Sequence, residues 1–323
     1  MNTGTIIGQS PLLYAMERIL DRGMIVHAYL FIGPEGSGKK TMSNLFAQAL
    51  LCTNKGEGKP CRSCITCRQF DSGNHPDVVR VRILEGKTAI LVDQIRDMQS
   101  VVNIKPYQAG RRICFIEDAH LMNVQAQNAL LKTLEEPPSH TVIILLADNI
   151  NSLLPTILSR CQHFRIGHLS HEEIAQLLNR HYSMDPEEAS VYAVLSQGNP
   201  GKALTLANDE TLHACREELA RGIGLAGSVK IADLYGLFMD NKDRTEVLFE
   251  LMELWIRDLI LLKETGDWNL IINKDKSSLL SKQAARFTSK GLQDMIQKIE
   301  LARTMLKSNT NYQLTIETML YQF

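Results

Sequence analysis

Residues 31–41, Phe31-Ile32-Gly33-Pro34-Glu35-Gly36-Ser37-Gly38-Lys39-Lys40-Thr41, lead from an apolar run through a glycine-rich turn into a helical pattern over residues 42–51. Glycines at Gly33, Gly36 and Gly38 let backbone N–H groups wrap around phosphate oxygens. Ser37 lies among those amides, Lys39 adds a point charge, and the start of the helix adds its dipole. The spacing is that of a phosphate loop, G-x-x-x-x-G-K. A tight connection between strand and helix would also use glycine, but it would not need a lysine in that register. The next position departs from the pattern. A Ser or Thr there would offer its hydroxyl to Mg²⁺, yet Lys40 occupies it and Thr41 comes one residue late.

A second chemical constellation is Glu117-Asp118, which ends the apolar run Ile113-Cys114-Phe115-Ile116. Carboxylates at the C-terminal end of a buried strand sit where open α/β sheets place their ligands. In nucleotide hydrolases an Asp there holds Mg²⁺, and a following Glu polarises the attacking water. Here the order is inverted, so each carboxylate is about one bond out of place, and displacements near 1 Å cost on the order of a hundredfold in rate. The alternative is that the two acids cap the next helix.

Four cysteines form a third constellation: Cys52, Cys61, Cys64 and Cys67, spaced C-x8-C-x2-C-x2-C. Four thiolates this close suit a closed tetrahedral zinc site that pins a loop and does no chemistry. A redox pair would need only two cysteines, and accidental clustering is the other alternative. His75 is a weaker substitute ligand.

The elements that must position these groups follow from periodicity and punctuation. Helices are predicted from Ser10-Pro11 through Leu20, over residues 92–102 and over residues 126–135 before the Pro137-Pro138 stop. Strands are predicted at 27–32, 78–81, 111–116 and 141–147. After Arg165 the pattern turns wholly helical, with a capping box at Ser170 and Glu173 and a break at Gly198-Asn199-Pro200-Gly201. Stripes along Leu248, Leu251, Met252, Trp255, Leu259 and Leu262, and along Leu292, Met295, Ile296, Ile299 and Leu306, mark longer amphipathic helices, and such stripes are more often internal core than docking surface. The fold class is therefore an α/β phosphate-loop domain with a small zinc module, followed by all-α domains.

Together, Gln9, His27-Ala28-Tyr29-Leu30-Phe31, the phosphate loop, the cysteine insert, residues 126–138 and Ser159-Arg160-Cys161 resemble the delta-prime family of bacterial DNA polymerase III clamp-loader subunits, within the AAA+ superfamily. The resemblance is specific over about the first two hundred residues and weaker beyond, where it rests on Trp255-Ile256-Arg257-Asp258 and a helical pattern. It implies a RecA-like AAA+ domain over 1–166 with the zinc insert at 52–67, a helical lid over 167–208 and a helical collar over 209–323. It implies a five-membered ring that sets the sliding clamp on primer-template DNA, as a component of the DNA-directed DNA polymerase III holoenzyme. The partners would be motor subunits of the tau/gamma type and a delta-type subunit. Arg160 resembles an arginine finger that reaches a neighbour's ATP site, where a guanidinium stabilises transition-state charge. A structural salt bridge is the other reading of Arg160.

The motor paralogues carry Gly-Lys-Thr, Asp-Glu and a lid arginine where this chain has Gly38-Lys39-Lys40, Glu117-Asp118 and Gly201. All three departures fall on the chain's own nucleotide site. The expectation is a subunit with no ATPase activity of its own, in which ATP or ADP is held statically or not at all, with Lys40 and Lys202 as substitute cations. Two other readings stand: an ATPase working in shifted register from Lys39 and Thr41, and a zinc-dependent DNA binder. The formal net charge of −1 gives no global basic field, which argues against the last. The 323-residue chain has room for two or three domains and carries no apolar run of membrane-spanning length; with its unremarkable first residues, it reads as cytoplasmic.

Overall fold

The computed structural model describes residues 6–54, 58–223 and 227–323, and within the last range the side chains of 231–323. Residues 55–57, part of the loop predicted between Cys52 and Cys61, lie outside it. The chain divides into two compact units, residues 1–169 and 170–323.

The first unit is built on strand alternation. Helix α1 (Ser10–Arg22) precedes strand β1 (Ala28–Ile32), and the turn after β1 enters α2 (Lys39–Leu51). There follow α3 (Ile65–Asp71), β2 (Val78–Val81), α4 (Val92–Val102), β3 (Arg112–Ile116), α5 (Val124–Glu135), β4 (Thr141–Ala147), α6 (Pro155–Leu158) and β5 (Gln162–Arg165). The strands form one parallel sheet in the order β2-β3-β4-β1-β5. Successive side chains of a strand point to opposite faces, and two separate cores result. Leu30, Cys114, Ile116, Ile143 and Leu145 pack with Ile95, Met98, Leu130 and Ile157 from α4, α5 and α6. Tyr29, Phe31, Ile113, Phe115 and Ile144 pack with Met16, Phe46 and Phe70 from α1, α2 and α3. Strands buried on both faces read as continuous apolar runs because helices cover each side.

Two hydrogen bonds close this unit on itself. The side-chain amide of Gln9 donates to the Gly167 carbonyl at 2.6 Å and accepts from the Gly167 amide at 3.3 Å. Gln9, singled out in the sequence, thus ties the entry of α1 to the segment leaving β5.

The second unit is all helical: α7 (His171–Tyr182), α8 (Pro186–Leu195), α9 (Pro200–Ala207), α10 (Glu210–Ile223), α11 (Gly227–Asp240), α12 (Thr245–Thr265), α13 (Ser277–Ala284), α14 (Ser289–Lys307) and α15 (Tyr312–Tyr321). The predicted capping box is present: the Glu173 amide donates to Ser170 Oγ, and the Ser170 amide donates to the Glu173 carboxylate. The predicted stripes are largely core, since Leu248, Leu251, Met252, Trp255, Leu259, Leu292, Met295 and Ile299 are buried, while Leu262, Ile296 and Leu306 are half-buried. Around them runs a polar network that periodicity does not announce. Trp255 Nε1 donates to Gln283, which donates to the Ala220 carbonyl. The fully buried Asp258 accepts from the backbone amides of Ile272 and Asn273, and Arg216 forks onto Asp275.

Candidate functional site

The phosphate loop is shaped by backbone constraints that only small residues satisfy. Gly36 and Gly38 adopt φ of 76° and 92°, in the left-handed region that glycine enters without penalty. A Cβ on Gly33 would lie 2.7 Å from Ser37 Oγ and 3.0 Å from the Ile166 carbonyl. Ser37 is buried, and its hydroxyl has no hydrogen-bond partner among the described residues. Lys39, the first residue of α2, folds back over the turn. Its ammonium donates to the carbonyls of Gly33 and Pro34, both at 2.8 Å, and pairs with Asp148 at 2.6 Å. Asp148, just beyond β4, was not singled out by the sequence. Thr41 is exposed.

The two acids after β3 have different fates. Asp118 is exposed and left-handed (φ 54°), and its side chain does not cap the 3₁₀ turn that follows. Glu117 is nearly fully buried and takes three cations: Lys40 Nζ at 2.9 Å, Arg80 Nη1 at 3.0 Å and Arg82 Nε at 3.0 Å. Burial alone would raise its pKa, but the hydrogen bonds and charges of Lys40, Arg80 and Arg82 outweigh it and hold the carboxyl below its ordinary value. Arg80 is itself fixed, 4.1 Å from the Phe115 ring centroid and bonded to Asn44 Oδ1 at 2.8 Å. In a metal-dependent phosphate-loop site, a hydroxyl at position 40 and a carboxylate at the strand end would share a Mg²⁺ ion. Here an ammonium bridges those two positions. The residues present do not fit Mg²⁺–nucleotide chemistry.

The four cysteines come together. Cys52 ends α2, Cys64 caps the N-terminus of α3, and Cys67 lies in its first turn. The four Sγ atoms all lie within 4.8 Å of one another, with Cys61 and Cys67 4.0 Å apart. Tetrahedral zinc with bonds near 2.3 Å requires sulfur separations of about 3.8 Å, so the set fits this ion. The amides of Cys64 and Cys67 donate to the sulfurs of Cys61 and Cys64. Burial pushes Cys64 up, but hydrogen bonds from Thr66, chiefly, and from the Cys67 amide bring it to about 5. The Ser63 hydroxyl and neighbouring amides bring Cys61 to about 7, whereas burial raises Cys67. The lowering at Cys61 and Cys64 favours the thiolate form that a metal takes as ligand. His75 is outside the group; its Nδ1 accepts from the Asp77 amide, and burial lowers its pKa. The short helix α3 was not foreseen. A capping sulfur at Cys64 and the burial of Thr66 and Phe70 explain it.

Arg160 stands apart from these groups in the sequence, in the turn after α6. Its guanidinium donates to the Thr156 carbonyl at 3.0 Å and to Ser159 Oγ at 3.3 Å, and it pairs with Glu135 at 2.8 Å. About a third of its side chain is exposed, 34%. Lys202, proposed from the sequence as a substitute cation, pairs with Glu250 at 3.3 Å within the second unit. Glu135, Arg80 and Arg82 escaped sequence reasoning because none belongs to a spaced motif. The only hint was the alternation of arginines at 80 and 82.

Residues 8–170 match the family described as DNA polymerase III, delta subunit, and residues 211–323 match that described as DNA polymerase III, delta subunit, C terminal. The gamma subunit of DNA polymerase III from Buchnera aphidicola (subspecies Acyrthosiphon pisum) is 30% identical over 84% of this chain and 71% of its own. The delta-prime subunit from Haemophilus influenzae is 34% identical over 60% of this chain and 59% of its own. That from Pseudomonas aeruginosa is 41% identical over 43% of each. Against the tau subunits it matches, the chain spans about a third of their length. The chain belongs to the DNA polymerase III delta-subunit family of clamp-loader proteins.

Proposed function

We propose that this chain is a delta-prime-type clamp-loader subunit that does not turn over ATP itself and lends Arg160 to the ATP site of a neighbouring motor subunit. The carrying observation is a contrast within one domain. Glu117 is locked by three cations where a hydrolase needs a metal ligand, while Arg160 is partly exposed and held by a surface ion pair and by two hydrogen bonds within its own turn. Exposed pairs of this kind contribute about 0–1 kcal/mol, so the guanidinium can exchange Glu135 for a phosphate at little cost.

On this reading the neighbours are tau/gamma-type and delta-type subunits, and the sliding clamp and primer-template DNA are reached through the cytoplasmic assembly. Residues 167–208 act as the lid and 209–323 as the collar that joins the ring. Cys52, Cys61, Cys64 and Cys67 hold one structural zinc ion. When bound, that ion would supply cross-linking of a loop to α2 and α3 and no catalysis.

The test is reconstitution with motor and delta-type subunits. Arg160→Ala is expected to lower ATP turnover of the assembly by roughly 10³-fold or more at the site it serves, in keeping with arginine fingers generally. Its melting temperature should stay that of the parent, and the isolated chain should show negligible turnover. Brisk hydrolysis by the chain alone, or undiminished turnover with Arg160→Ala, would overturn the reading.

A further inference from the structure

Beside the Lys40–Glu117 bridge lies a cavity of about 470 Å³, lined among others by Lys40, Thr41, Asn44, Arg62, Arg80 and Arg82. We propose that this cavity is a binding site for a small polyphosphate anion, one that takes its ligand without a divalent metal ion. The charge count supports this. Lys40, Arg80 and Arg82 all contact Glu117, so three cations meet one carboxylate and two positive charges remain over. Arg62, on the cavity wall, adds a third, while Asp71 on the same wall offsets one and is bonded by Gln48. In a metal-dependent site a divalent ion brings the charge that neutralises phosphate oxygens. Here the chain carries an equivalent charge in its own side chains and occupies the metal's bridging position with an ammonium.

The donors are also pre-oriented. The guanidinium of Arg80 is held by the ring of Phe115 and by Asn44, so little rotamer freedom is lost on binding. Arg82 is more than half exposed and Lys40 likewise, so both can turn remaining N–H groups towards a ligand while keeping Glu117. The N-terminal turn of α2, which supplies Lys40 and Thr41, forms one wall and adds its dipole in the same sense. Guanidinium forks and an ammonium match the oxygens of linked phosphate groups. Free pyrophosphate and the phosphate chain of a nucleotide share that chemistry.

The experiment is calorimetric titration of the full-length protein with inorganic pyrophosphate and, separately, with ATP, each in EDTA and in excess Mg²⁺. Saturable binding of pyrophosphate is expected in EDTA, with no tightening beyond about threefold on adding Mg²⁺. Arg82→Gln, a change at an exposed residue outside any strand, is expected to weaken it at least tenfold with unchanged melting temperature, and Arg62→Gln to act in the same direction. Arg68→Gln, an exposed arginine of α3 that does not line the cavity, should leave it within twofold. Binding of both ligands assigns the site to the phosphate chain whatever it carries, and binding of pyrophosphate alone assigns it to the free anion. Absence of binding in EDTA, a requirement for Mg²⁺, binding of ATP alone, or an equal loss with Arg68→Gln each overturns the proposal. Because the measurement is of binding and not of turnover, its failure leaves the proposed role of Arg160 standing, and failure of that role leaves this site standing.

Discussion

Asp77 has no exposed surface and accepts three backbone amides, those of Tyr107 at 2.6 Å, Gln108 at 2.8 Å and Ala109 at 2.8 Å, with Arg112 beside it at 3.6 Å. It thereby fixes the loop that leads into β3, and so the position of Glu117 at the far end of that strand. Burial raises its pKa, but the three amides and the charge of His75 prevail and depress it. A carboxyl depressed in the folded state contributes stability that is fully present above its unfolded value near 4 and is lost as pH falls through the folded one. Asp77→Asn is therefore expected to cost roughly 2–3 kcal/mol at pH 7, since it turns one acceptor towards the amides into a donor. Urea unfolding should show the gap narrowing below pH 4; a gap that does not change with pH would mean the charge is irrelevant. None of this was legible in the sequence, because the amides Asp77 holds lie thirty residues away and no spacing rule links them. The broken phosphate loop was legible, since Lys40 and the inverted acids violate a pattern with a stated mechanism. What Lys40 does instead was not, because the two arginines that share its partner Glu117 come from β2 and the residue after it.

At the scale of elements, periodicity located nearly every helix and strand of the first unit, because strands buried on two faces and amphipathic helices leave strong signatures. The exceptions are β5 and α6, each too short at four residues for a period to show, and α3, seven residues long, whose start depends on the sulfur of Cys64. Such a helix is too short to persist by itself. Chelation of the zinc we propose is therefore expected to remove α3's anchor and lower the melting temperature of the first unit. Metal analysis after dialysis should return about one ion per chain, and a Cys64→Ser protein that keeps full metal content would falsify the site. In the second unit the box at Ser170 offers a cleaner measurement. Ser170→Ala leaves the Glu173 amide without its cap and is expected to cost about 1 kcal/mol, read from the midpoint of denaturation. The stripes of α12 and α14 were legible as amphipathic, with an internal core as the commoner reading; which of their residues stay half-buried was not, because a stripe looks the same whether it faces its own core or a neighbour.

At the scale of the molecule, each unit closes its own core, and residues 170–323 expressed alone are expected to be helical and to melt cooperatively. A broad, non-cooperative melt would show that this half borrows order from the other. The sheet has a further property. Its strand β1 lies between β4 and β5, yet it is made first, and its partners begin only at residues 141 and 162. At a ribosomal rate of about 5–20 residues per second, an apolar ribbon buried in the finished sheet waits on the order of ten seconds with both edges open. An unpaired ribbon of this kind is a template for pairing with another chain. The nascent polypeptide therefore has a timed window in which a holding chaperone decides its yield, and slowing translation between residues 32 and 141 should lower the soluble fraction recovered.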